Sequence, residues 1–314
     1  MSRKLRQRPT DEVAKPGQVA PRQPCPCGSG RRYKACHGRP GGAPAPFVSR
    51  TFAGLPAEPD WVALREIVPA ATAAVTLLEP HAGRQVQLCS LLPMAAPALV
   101  RADDAIWLGL QVLHSYGDVS RDLAAALEQA LSADAGTRIV INDDPGRGAR
   151  LQDLVDPGAE MRVQVHPGYD FWVADGPDPS PEVASSLEAA NQSVAPSERL
   201  VDVGAAYWTQ MGGREYLRWV LPFDEESALD GLARLHAAGD DTLVEDSRLI
   251  GSFRAHGLLV PVWEVPAGTG AAPLQAPAEE VHRRLQEAVA ETGPLDSAQR
   301  AARSGLATRQ VTIR

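Results

Sequence analysis

Cys25, Cys27 and Cys36 fall within twelve residues, and His37 follows directly. Three thiolates and one imidazole make a complete tetrahedral ligand set for zinc. All four positions are supplied by the chain and none is left for water or substrate. The cofactor expected here is therefore one structural Zn2+. In the run Cys25-Pro26-Cys27-Gly28-Ser29-Gly30-Arg31-Arg32-Tyr33-Lys34-Ala35-Cys36-His37-Gly38, the Gly-Ser-Gly permits a tight turn. Ser29 can then cap a short helical turn over Arg31–Ala35, which returns Cys36 and His37 towards the first pair. Three thiolates leave one negative charge in excess. Arg31, Arg32 and Lys34 offset it and leave a basic face, the candidate partner-binding surface. A disulfide between such near neighbours is disfavoured where thiols stay reduced. A redox pair would need Cys-x-x-Cys, which the run lacks. Cys89, in an apolar run, reads as a small buried side chain.

The spacing Cys-Pro-Cys-Gly-Ser-Gly-x-x-Tyr-Lys-x-Cys-His-Gly resembles the SEC-C motif, the zinc module at the C-terminus of the protein-translocase ATPase SecA. The resemblance implies Cys25, Cys27, Cys36 and His37 as the metal ligands. It also implies a protein partner (an export chaperone, the translocon or the ribosome) and anionic lipid, while the charge of the basic arm by itself allows RNA as a further partner. The chain departs from SecA in two ways: the motif is N-terminal, and no G-x-x-x-x-G-K-[ST] exists, so a translocase motor is not expected. The whole chain is also similar to an uncharacterised family of actinobacterial SEC-C proteins. That similarity runs through Asp60-Trp61-Val62-Ala63-Leu64-Arg65-Glu66-Ile67-Val68-Pro69, through Gly251–Trp263 and through the Arg-Gln-Val-Thr near the end. It implies a family and no activity.

Charge divides the chain. Residues 1–50 carry a net +9 and the remainder −17, for a total of −8 over 314 residues. A basic end on an acidic body suggests an interaction tail. All three lysines (Lys4, Lys15 and Lys34) lie in that end. The body therefore cannot hold a P-loop, Schiff-base or kinase-type lysine. The longest apolar stretches, Ile67–Leu78 and Leu91–Val100, contain proline and fall short of the ~18 residues a membrane helix needs. Basic residues open the chain without a following apolar region, so no secretory signal and a cytoplasmic location are expected.

These features set the organisation expected: a disordered basic arm over 1–24, a zinc module over 25–38, a linker over 39–47, and an α+β body of antiparallel hairpins and amphipathic helices in two halves, 48–175 and 176–314. In the first half a helix carries Trp61, Leu64 and Val68 with Asp60 as cap, strands follow at 74–78, 86–91 and 105–113, and Asp118 caps a helix with Leu123, Leu127 and Leu131 on one face. Arg138–Asn142 reads as a buried strand, and Met161–His166 with Tyr169–Val173 as a hairpin. In the second half Ser180 caps a helix to Gln192 and Asp224 caps one with Leu229, Leu232 and Leu235. Hairpins turn at Gly212–Gly213 and His256–Gly257, a helix covers 279–290, and a strand ends the chain at 309–314. Strand–helix–strand over 105–142 and hairpin–helix–hairpin over 200–265 leave two readings: a diverged duplication or two unrelated halves.

No other motif carries chemistry outright. The histidines outside the module (81, 114, 166, 236, 256 and 282) form no H-E-x-x-H or H-x-H, and no G-x-S-x-G or strand-borne G-x-G-x-x-G occurs. Gly146-Arg147-Gly148 reads as a loop. The remaining constellations are Arg254, His256 and Glu264 near one hairpin with Trp263, and Asp170 among aromatics. Three functions stay open: an adaptor acting in export, on the ribosome or in quality control; an enzyme with its site in the body and the SEC-C module as its targeting device; or a nucleic-acid or ribosome-associated protein.

Overall fold

The computed structural model describes residues 32, 34, 48–113, 115–173 and 180–308. The expected arm, most of the zinc module, the linker and the expected strand at 309–314 lie outside them. The body is α+β, with two sheets.

The first sheet joins β1 (Ala71–Val75), β2 (Val86–Cys89), β3 (Ala98–Val100), β4 (Ile106–Gly109), β5 (Arg138–Ile139) and β6 (Val163–Val165) in the order β5-β3-β4-β2-β1-β6. Its β2–β4 pair is parallel, with Leu88 beside Leu108. Helices α1 (Glu58–Glu66) and α2 (Val119–Leu131) belong to this half. α2 starts where Asp118 accepts from the Ser120 N–H at 3.1 Å, and it buries Leu123 and Leu127.

Helix α3 (Pro181–Gln192) leads to the second sheet, which is antiparallel throughout. β7 (Ser197–Arg199), β8 (Ala206–Met211), β9 (Arg214–Trp219), β10 (Arg248–Ala255) and β11 (Leu258–Val265) take the order β10-β11-β9-β8-β7. Gly212 and Gly213, at φ 56° and 78°, supply the left-handed pair that joins β8 to β9. Helices α4 (Glu225–Ala238), α5 (Gln275–Ala290) and α6 (Ser297–Thr308) pack in this half. The close approach of α4 to α5 depends on Gly231, where a Cβ would lie 2.6 Å from Val289 Cγ2.

Alternation along the second sheet divides its side chains between two cores. Tyr207, Leu258 and Val260 join Trp61, Leu64, Ile106, Leu123 and Leu127 in the first. Trp208, Leu217, Leu259 and Trp263 join Leu229, Leu232, Leu274, Leu285 and Leu306 in the second. This sheet is thus covered on both faces, which explains why Leu258–Val265 is an almost unbroken apolar run.

Three local expectations are corrected. Asp60 is not a cap: α1 begins earlier, with Ala57 at the N-cap and Pro59 in its first turn, and Asp60 is buried. Residues 161–173 do not form a hairpin. β6 pairs with β1, and Asp170–Trp172 is a 3-10 turn with Tyr169 and Trp172 stacked at 4.4 Å. The strand expected at 74–78 lies at Ala71–Val75. Two further elements were not expected: β3, three residues long and too short to show a period, and α6, which carries few apolar residues. The parallel β2–β4 pair has no counterpart in the second sheet.

Candidate functional site

The four candidate zinc ligands, Cys25, Cys27, Cys36 and His37, lie outside the described residues, as does Arg31. Arg32 and Lys34 are exposed. Among the described residues no group of three His, Cys, Asp or Glu could hold a metal. Where the chain enters the body it is held firmly. The Val48 N–H donates to the Gly117 carbonyl at 2.9 Å. Arg50 grips Glu58 with two hydrogen bonds, at 2.7 and 2.8 Å. The buried Thr51 hydroxyl donates to Asp118 at 2.8 Å, and its carbonyl accepts from Arg150 at 2.9 Å and Gln152 at 2.8 Å. Arg150 also pairs with Asp118 at 2.7 Å. Burial raises the Asp118 pKa, but Arg150 and Thr51 outweigh it and hold the carboxyl below its usual value.

A cleft of about 530 Å³ opens at this entry point, between the two halves. Val48 and Ser49 form one wall. The end of α1 contributes Arg65 and Glu66, the start of α4 contributes Glu225, and the β10–β11 turn contributes Arg254 and His256. The turn is a tight left-handed pair, His256 at φ 48° and Gly257 at φ 79°. It aims His256 at Glu66, 2.8 Å away, and packs its ring against Phe52, tilted by 54° with centroids 5.1 Å apart. The hydrogen bond from His256 lowers the Glu66 pKa against the effect of burial. Arg65 Nη1 donates to the Leu110 carbonyl, and burial lowers the pKa of its guanidinium.

Gly257 is required for this arrangement. A Cβ there would sit 2.8 Å from Arg50 Cβ and 3.1 Å from the Ser49 carbonyl. Gly257→Ala is expected to cost about 1–3 kcal/mol through its backbone conformation and this collision. It should loosen the entry segment, so trypsin should cleave after Arg50 faster than in the wild type. Unchanged cleavage and melting temperature would count against the clamp.

The structure places the sequence candidates as follows. Arg254 and His256 share the cleft. Glu264 does not: it pairs with Arg248 at 2.7 Å and Arg214 at 3.5 Å, elsewhere on the surface. Trp263 is buried, and its indole donates to the Asp241 carbonyl at 2.7 Å. Asp170 accepts from the Asn191 amide at 3.2 Å. Gly146–Gly148 forms a loop around Arg121, which donates to the Gly146 carbonyl at 3.2 Å. Cys89 is buried, and burial pushes its thiol pKa up. Sequence reasoning missed Glu66 and Arg65 because they stand on a separate helix, with Glu66 190 positions from His256.

A family model described as "Family of unknown function (DUF5926)" matches residues 51–314, which is most of the chain. The chain belongs to this family. The match begins at Thr51, inside the anchored segment, and takes in most of the cleft. The SEC-C motif model matches residues 22–39. Over 29 residues the chain is 55% identical to the protein translocase subunit SecA of Rubrobacter xylanophilus, covering 9% of this DUF5926 chain and 3% of that protein. The chain thus spans a small fraction of the curated relative it matches. No solved structure matches. Among the described residues no helix is long and apolar enough to cross a membrane.

Proposed function

We propose that this DUF5926 protein is an adaptor whose SEC-C module contacts a protein partner of the export, ribosome or quality-control machinery. The match of residues 22–39 to the SEC-C motif carries this reading. The donor set of Cys25, Cys27, Cys36 and His37 fits one zinc ion, which would cross-link the module as a structural centre. Arg31, Arg32 and Lys34 would form the contact face. The clamp from Val48 to Thr51 supports the reading, since it fixes the root from which the module extends.

The test is affinity capture from cell lysate with wild type and Cys36→Ser, after circular dichroism confirms that the body is folded in both. Wild type is expected to hold one equivalent of zinc and to retain a chaperone, translocon or ribosomal component that Cys36→Ser loses. Identical captures would overturn the adaptor reading. RNA capture that falls steeply with added salt would instead identify a nucleic-acid or ribosome-associated protein. The cleft with its Glu66–His256 pair favours a second reading, an enzyme in which SEC-C is a targeting device. Identical captures would move the search there.

A further inference from the structure

The cleft between the halves has unused hydrogen-bonding capacity. Two guanidinium groups line it, each with five N–H donors. Arg65 is nine-tenths buried, its side chain only 10% exposed. It makes one hydrogen bond, from Nη1 to the Leu110 carbonyl. Among the described residues its buried Nε has no hydrogen-bond acceptor, although it forms an ion pair with Glu66 Oε1 at 3.5 Å. Arg254 donates from Nε to Glu225 at 2.6 Å. Glu66 Oε1 is already taken by His256 at 2.8 Å. Glu66 and Glu225 thus each hold a hydrogen-bond partner, while most N–H groups of Arg65 and Arg254 have no acceptor among the described residues. A buried donor without an acceptor is costly, and water, an ion or a ligand can supply the missing acceptor.

The space beside these donors suits a small molecule. About 530 Å³ lies within the range of ligand pockets, and Val48, Val119 and Ala255 give the lining an apolar share. We propose that the cleft binds an organic carboxylate. Arg65 and Arg254 donate to the carboxylate group through charge-assisted hydrogen bonds, and the apolar lining covers the carbon body. Glu66 and Glu225 remain with His256 and Arg254 and set the orientation of the donors. The ligand bridges two halves of the body, since Arg65 belongs to α1 and Arg254 to β10. This binding is independent of the zinc module.

The test uses the full chain, with N-acetyl-L-leucine as the probe and N-acetyl-L-leucinamide as its uncharged match, followed by calorimetry and saturation-transfer NMR. The acid is expected to bind at least about tenfold tighter than the amide, the loss expected when a charged hydrogen bond is removed. Arg254→Gln, at a half-exposed position that tolerates substitution, is expected to weaken the acid about tenfold and leave the melting temperature of the free protein unchanged. Cys36→Ser should bind the acid as wild type does, which separates this result from the adaptor reading. Two sources of carboxylate are distinguished by an acetylated tripeptide ending in leucine: tighter binding than the single residue marks a chain terminus, weaker binding a free small acid. Equal binding of acid and amide, displacement of the acid by an equal concentration of inorganic phosphate, or full binding by Arg254→Gln would each overturn the proposal.

Discussion

Asp60→Ala is expected to lower the unfolding free energy by about 3–5 kcal/mol, the range for removing one member of a buried charged network. Asp60 is 4% exposed, although it stands in the first turn of a helix. The Tyr207 hydroxyl donates to Oδ1 at 2.6 Å, and Arg199 Nη2 donates to Oδ2 at 3.2 Å. Tyr207 is fully buried, and its pKa lies well above 10, first through burial and then through the Asp60 charge. It therefore stays a neutral donor at any working pH. Removing Asp60 leaves a buried hydroxyl and a partly buried guanidinium without their acceptor. The three residues also join α1 to β7 and β8, and so join the two halves. Asp60→Asn retains an acceptor for Tyr207 but no charge for Arg199, so about half the loss is expected. Urea unfolding of wild type, Asp60→Ala, Tyr207→Phe and the Asp60→Ala/Tyr207→Phe double variant gives the coupling directly, with Asp60→Asn measured beside them. A loss below about 1 kcal/mol for Asp60→Ala would show that the network does not hold the halves together. The same helix ends in Arg65 and Glu66, so loosening it should also weaken any ligand held in the cleft.

Asp60 also shows where sequence reading stops. An aspartate ahead of an amphipathic run has the pattern of a helix cap. Its partners Arg199 and Tyr207 are about 140 positions away, and no local pattern links them. Where the cause was local, the structure was legible. Asp118, Ser180 and Asp224 cap their helices through bonds to backbone N–H groups two or three residues on. Gly212–Gly213 and His256–Gly257 turn their hairpins because those positions need φ > 0. The SEC-C motif was legible for the same reason, since its residues lie within one short run. The cleft was legible only in part. Arg254 and His256 stand two residues apart on a hairpin, but the grouping with Glu264 failed. Glu264 pairs across the strand with Arg248, whereas His256 sits in the turn and reaches α1. Short elements such as β3, and the 3-10 turn at Asp170, depend on the elements around them and leave no periodicity to read.

Glu215 offers the second large effect, together with a pH signature. It lies on β9, 3% exposed. Oε1 accepts from the Gly268 N–H at 2.6 Å. Oε2 accepts from the Gly270 N–H at 2.8 Å and from the Trp208 indole at 2.9 Å. One carboxylate thus shapes the loop that leads from β11 to α5. Burial alone would raise its pKa. The N–H groups of Gly270 and Gly268, the Trp208 indole and the Thr269 backbone outweigh burial and hold it below the usual 4.5. A carboxyl depressed in the folded state adds stability above its unfolded pKa and loses it as pH falls through the folded value. Glu215→Gln keeps the shape but turns one acceptor into a donor that faces N–H groups. At pH 7 it is expected to cost about 2–4 kcal/mol, since it leaves buried donors unmet. Other depressed carboxyls, Asp118 among them, also give the wild type an acid-sensitive slope. The difference between wild type and variant isolates Glu215. That difference should be full at pH 7, begin to shrink below about pH 4.5, and continue to fall towards pH 3. Urea unfolding at several pH values, followed by tryptophan emission, measures it. A difference that stays constant from neutral pH into this acid range would mean that Glu215 has the same pKa folded and unfolded, and that the loop is held by shape and not by charge.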